Sequence, residues 1–213
     1  MRHHNIPHTA SMHGKSRKEE YADATRKALV EVARALFAQR GFTGVSIEEI
    51  VQGARVTRGA LYHHFEDKQE LFRAVLELIE HELAERMRTA ASSEAPAWEQ
   101  LTAACHAYLD ACLERDVQRI VVLDAASVLG WHTWCEIDRK HGLGVLHERL
   151  NAALEAGLID PQPLEPTALL VLGALNTGGR VIAEAKNSNE ARRQVGATLE
   201  RLLSGLRKAK PRR

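Results

Sequence analysis

Between Ser46 and Lys68 the chain reads SIEEIVQGARVTRGALYHHFEDK, a segment whose capping and turn signals leave little freedom for what surrounds it. Ser46 followed by Glu49 is a capping box, in which hydroxyl and carboxylate reciprocally satisfy two helix-start N–H groups. Ile47, Ile50, Val51 and Ala54 then fall on one stripe of a short helix. Thr57 suits the N-cap of a second helix that turns Leu61 and Phe65 inward. Asp67 with Glu70 caps a third, which puts Lys68 in its first turn. Two short helices hinged at Ala54-Arg55-Val56 make a helix-turn-helix. Its second helix exposes Thr57, Arg58, Gly59, Tyr62 and His63, a face with no carboxylate of its own, suited to a phosphate-lined groove.

The longer run GFTGVSIEEIVQGARVTRGALYHHFEDKQELF resembles the DNA-binding signature of the TetR/AcrR family of bacterial transcriptional regulators, over roughly Thr25 to Val75. The resemblance implies an all-α homodimer. Residues 21–68 would form a three-helix DNA-binding domain, and 69–208 a larger helical domain for effector binding and dimerisation. Carried over by position, Thr57, Arg58 and Gly59 face bases, with Arg58 placed for a bidentate contact to guanine. Tyr62, His63 and Lys68 would clamp phosphates, with Thr43 and Ser46 as lesser contacts. Arg55 stands where many members carry glycine. A non-glycine residue at positive φ costs about 1 kcal/mol, so either the turn adjusts or Arg55 compensates with a phosphate contact. The implied function is a repressor that a small-molecule effector releases from a palindromic operator. An alternative is a helical ligand or metal sensor that works through protein contacts, with its helix-turn-helix as a docking surface.

Composition narrows the class further. The chain has 213 residues, 45% of them apolar, and a net charge of only +1. DNA affinity must therefore come from local placement of basic groups and not from a global field. No apolar run approaches the length of a membrane span, and no signal peptide is visible. Cys105, Cys112 and Cys135 lack disulfide-framework spacing. On one helix Cys105 and Cys112 would stand about 10.5 Å apart, too far to bridge. A reducing cytoplasm is the expected location.

In chain order, residues 1–20 read as a disordered leader, with Met12 as a second possible start. Lys15, Arg17 and Lys18 in it suit a basic arm on phosphates. Leu29, Val32, Ala33, Leu36 and Phe37 define a helix over Tyr21–Arg40 that Gly41 ends, with Arg26, Lys27 and Arg34 on a solvated face. A long helix from Lys68 to about Thr89 links reader and body, and Pro96 opens the next, Ala97–Arg115. Val117–Trp134 is apolar nearly all round, so other helices should enclose it, and Asp124 within it would need a partner if buried. Helices follow over Arg139–Ala156, Pro166–Lys186 and Glu190–Leu206, before a basic tail at 209–213. Gly173, Gly178 and Gly179 imply close helix approach, which by resemblance is the dimer interface and otherwise an intrachain contact or a kink.

An effector site is less legible. Trp131 and Trp134 lie on adjacent turns with His132, Cys135 and Asp124 nearby, and they fit either a ligand pocket or the core. Cys105, Tyr108 and Asn176 are further candidates for its lining, and an apolar or aromatic ligand would match such walls. No catalytic constellation emerges: His81-Glu82 lacks the second histidine of a zinc-protease motif, and Asp138-x-x-His141 is a single pair. Neither an enzyme nor a metal or other cofactor is expected.

Overall fold

The computed structural model describes residues 16–208. The regular elements there are α1 (Arg17–Arg40), α2 (Ile47–Gly53), α3 (Arg58–His64), α4 (Lys68–Thr89) and α5 (Ala97–Ala111), then α6 (Ala125–Leu129), α7 (Trp131–Asp138), α8 (Gly144–Glu155), α9 (Leu164–Glu184) and α10 (Ser188–Ser204). Two π-helical segments, Val117–Asp124 and Arg139–Leu143, lead into α6 and join α7 to α8. An isolated antiparallel bridge pairs Ile159 with Arg207. Among the described residues the fold is thus all-α, and no helix is long and apolar enough to cross a membrane.

Local chemistry sets the boundaries of the first elements. The Ser46 hydroxyl accepts the Glu49 N–H at 3.3 Å, and Glu49 Oε2 accepts the Ser46 N–H at 2.9 Å. The Thr57 and Asp67 side chains cap α3 and α4 by accepting the N–H groups of Ala60 and Glu70. A second capping box, Ser16 with Glu19, starts α1 at Arg17. Residues 17–20 therefore belong to a helix and not to the expected leader. Residues 1–15 and the tail at 209–213 lie outside the described residues.

Helices α1, α2 and α3 pack together around Leu29, Ala33, Phe37, Ile50 and Leu61, each without solvent exposure. The rings of Phe37, Phe42 and Phe72 meet at centroid distances of 5.4–5.8 Å and tie this unit to α4. Helix α4 then continues into a body in which α5 packs on α4 and α8, while α9 packs on α8 and α10.

The middle of the chain departs from the pattern read by spacing. The apolar stretch expected as one helix over Val117–Trp134 breaks at Gly130, whose φ of 82° suits glycine. The next helix starts at Trp131 and runs through the π turn into α8, so no boundary falls at Arg139. Arg34 is not on a solvated face: it pairs with Glu82 at 2.8 Å and Asp116 at 2.7 Å, which joins α1, α4 and the approach to the π segment. A Cβ on Gly178 would lie 2.7 Å from Val195 Cγ1, and one on Gly179 would lie 2.9 Å from Cys112 Sγ. Those two glycines serve contacts within the chain, whereas Gly173 has open space.

Candidate nucleic-acid interface and internal cavity

The helix-turn-helix forms with Arg55 at φ 56°, so the turn keeps its left-handed residue without glycine. Hydrogen bonds from Ala54 N–H to Ile50 O and from Val56 N–H to Val51 O close it. Leu61 and Phe65 bury the inner side of α3, which fixes its outer side toward solvent. Thr43, Ser46, Arg55, Thr57, Arg58, Gly59, Tyr62 and His63 are all exposed. A Cβ on Gly59 would meet only Thr57 Oγ1, at 3.9 Å, so packing within the chain does not require glycine there.

Two members of the expected set are held differently from the reading by position. Arg58 donates to Glu48 Oε1 at 2.6 Å and to the Tyr62 hydroxyl at 3.2 Å, with its guanidinium 5.5 Å from the Tyr62 ring centroid. A carboxylate from α2 thus faces this surface, although α3 itself carries none. Lys68 Nζ donates to Phe42 O at 2.9 Å and Val45 O at 2.8 Å, and lies 4.2 Å from the Phe42 ring centroid. Its first task is to hold the α1–α2 loop, with one ammonium N–H left over for a phosphate. His64 is half-buried near Phe65, and its pKa is lowered chiefly by burial.

The same loop is fastened to the body from the other side. Asp124 Oδ2 accepts the Phe42 N–H at 2.9 Å and Arg119 Nε at 3.2 Å. Arg115 donates to the carbonyls of Ala38 and Gln39 at the end of α1, and Gln69 Nε2 donates to Val128 O. Arg119 lies so close to Gly41 that a Cβ there would fall 2.1 Å from Nη2, and Gly41 itself has φ 71°. Asp124, expected from the sequence to line a ligand pocket, is instead a strut between body and reader.

A cavity of about 340 Å³ opens between α5, the first π segment, α7 and α9. Tyr108, Trp131, Trp134 and Asn176 line it, as expected. Cys105 and His132 do not. Cys105 is fully buried in the core, with its thiol pushed up to about 12 by burial, and the His132 side chain is 88% exposed at 3.6 Å from Glu136. Cys135 lines it too, and spacing missed several other lining residues, among them Val121, Val122, Asp138 and Arg139. The Tyr108 hydroxyl donates to Asn176 Oδ1 at 2.8 Å, and Asn176 Nδ2 donates to Asp138 Oδ2 at 2.7 Å. Burial pushes the Asp138 carboxyl up to about 6. Behind it, Glu80 of α4 is 3% exposed, and burial, with Asp138 adding to it, pushes its carboxyl up to about 8. The signal for Glu80 was present: it sits between Leu76 and Leu83 on the core stripe of α4, where an apolar residue belongs.

Helices α9 and α10 also leave an apolar groove on the surface. Leu170, Val181 and Leu202 on its walls are 77%, 50% and 62% exposed.

Comparison with known proteins agrees with this architecture. The family model for bacterial regulatory proteins of the tetR family matches residues 29–75, and that for the tetracyclin repressor-like C-terminal domain matches residues 98–206. The Transposon Tn10 TetC protein of Escherichia coli is 29% identical over 183 residues, covering 84% of this chain and 89% of that protein. The HTH-type transcriptional repressor KstR2 of Mycobacterium tuberculosis is 29% identical over 142 residues, or 65% of this chain and 71% of its own. A crystal structure of a TetR-family transcriptional regulator from Pectobacterium atrosepticum superposes with a TM-score of 0.79 at 34% identity, covering 93% of this chain and 100% of the other. This chain belongs to the TetR family of bacterial transcriptional regulators.

Proposed function

We propose that the protein is a dimeric repressor that binds a palindromic DNA operator and leaves it when a small effector occupies the internal cavity. The observation that carries this reading is the outer face of α3. Thr57, Arg58, Gly59, Tyr62 and His63 are presented together to solvent on a helix whose other side is locked by Leu61 and Phe65. Arg58 exchanges Glu48 for guanine on binding, Gly59 lets the backbone approach the groove, and Tyr62, His63 and Arg55 meet phosphates. Lys68 adds a phosphate contact while it keeps the loop in place.

The exposed apolar walls of the α9–α10 groove favour a second copy as the partner. Two readers on a common axis would then enter successive major grooves about 34–36 Å apart. Val121, Val122 and Ala126 line the cavity, while Asp124 between them holds the α1–α2 loop. An effector that binds better to one arrangement of this segment shifts the spacing of the readers by differential affinity alone. The walls suit a small apolar or aromatic molecule.

The test is recovery of tightly bound fragments from sheared genomic DNA of the source bacterium with the purified protein. A shared palindrome with half-sites about one helical turn apart is expected. Arg58→Ala should lower affinity for that sequence by roughly tenfold or more while leaving binding to random DNA little changed. Fragments without any common sequence, or equal losses on specific and random DNA, would overturn the reading.

A further inference from the structure

We infer that the cavity selects a neutral hydroxyl-bearing aromatic, a phenol-class compound, whose hydroxyl donates to Asp138 and accepts from the Trp134 indole N–H. The inference rests on the effector-cavity reading above and adds the chemistry of the ligand. Three observations carry it.

The first is an acceptor. Asp138 is 5% exposed, lines the cavity and receives one hydrogen bond from Asn176, which leaves lone pairs on its carboxylate for a further donor. The second is a donor. Trp134 also lines the cavity, and its Nε1–H is buried with no acceptor among the described residues. A buried donor left unmade is costly, so a ligand oxygen that the indole turns to meet recovers part of that deficit. The third is charge. Glu80 and Asp138 already place two carboxyls in this interior, and Arg139 and Arg180 contribute to the lining of the same cavity, the Arg180 guanidinium being paired with Glu184.

These conditions separate the ligand classes. A carboxylate has no proton to donate to Asp138 and would set a second negative charge beside that buried one. An ammonium group has no lone pair for the Trp134 N–H. An ether accepts but does not donate. A phenolic hydroxyl does both without charge, and its ring matches the Trp131–Trp134 wall, where the two indoles stand 4.8 Å apart at 50°.

Four probes on one ring distinguish these cases in the full-length protein: para-ethylphenol, its methyl ether, para-ethylbenzylamine and para-ethylbenzoate. Binding is read from tryptophan fluorescence and calorimetry. The phenol should bind about tenfold or more tightly than the ether, as expected for one charge-assisted hydrogen bond, and more tightly than either ion. Asp138→Asn should erase most of that advantage and leave the ether unchanged, which also shows that the variant folds. Trp134→Phe should weaken phenol and ether alike. Equal affinity for phenol and ether, or tighter binding of the amine or benzoate, would overturn the inference and leave the effector cavity standing. If none of the four perturbs fluorescence at millimolar concentration, the cavity reading falls with it.

Discussion

Replacing Asp124 by alanine separates a strut from a ligand contact. The carboxylate is 13% exposed and accepts a backbone N–H from Phe42 at 2.9 Å, a charge-assisted bond whose loss leaves that amide without its partner. Such a loss costs roughly 1.5–3 kcal/mol. The Arg119 contact at 3.2 Å is half in solvent, with the arginine 41% exposed, and adds under about 1 kcal/mol. A total of about 1.5–4 kcal/mol follows, which for a chain of this size lowers Tm by roughly 3–16 °C. Phe42 also packs against Phe37 and Phe72 and accepts from Lys68, so its displacement should loosen the loop that carries Thr43 and Ser46. Thermal unfolding by circular dichroism, operator affinity by fluorescence anisotropy and cavity binding by tryptophan fluorescence should be measured on one preparation. Stability and DNA affinity should fall while cavity affinity holds. An unchanged Tm with cavity binding abolished would refute the assignment and return Asp124 to the pocket.

Gly59→Ala should leave stability unchanged or raise it by about 0.5–1 kcal/mol, since the new methyl meets only Thr57 Oγ1, at 3.9 Å. Operator affinity should drop by roughly tenfold if DNA approaches the backbone here, and unaltered anisotropy titrations would argue against close approach. For Glu80, whose folded carboxyl titrates near 8, the folded chain holds a proton that the unfolded chain has lost above the usual carboxylate range. Its contribution is therefore full at acid pH and is lost as pH rises toward about 8. Glu80→Gln should flatten this slope and gain on the parent at alkaline pH by an order of a few kcal/mol, read as Tm across that range. Leu202→Glu places a charge on the α9–α10 groove at a side chain that is 62% exposed. Light scattering should then report a monomer with weakened operator binding, and a dimer of parental stability would move the interface elsewhere.

The reader was legible because its instructions are short-range. A capping box spans three residues, and Ser46–Glu49, Thr57 and Asp67 each form the bonds their spacing announces. Leu61 and Phe65 went inward for the same reason, and with them the outer face of α3 was decided. The internal cavity was legible only in part. Trp131, Trp134, Tyr108 and Asn176 face it, but Asp124, Cys105 and His132 do not. A period of 3.6 residues assigns faces correctly only on a regular helix. Val117–Asp124 is π-wound, which shifts the angular register and turns Asp124 toward the reader. Gly130 broke the apparent helix with a single backbone conformation that composition does not advertise.

By itself the sequence determined the local elements of the reader: where α2, α3 and α4 begin, which stripe of each is apolar, and that together they make a helix-turn-helix. Caps and periodicity act over one or two turns, within reach of neighbours in the chain. Tertiary structure decided the partners. Arg34 meets Glu82 and Asp116, 48 and 82 residues away, and Asp124 meets Phe42 across 82. Asp138 acts on the Glu80 carboxyl only once α4 and α7 are packed together. Which polar group is buried, which carboxyl keeps its proton and which residue ties cavity to reader all depend on contacts between distant segments. Those contacts exist only after the chain has closed on itself.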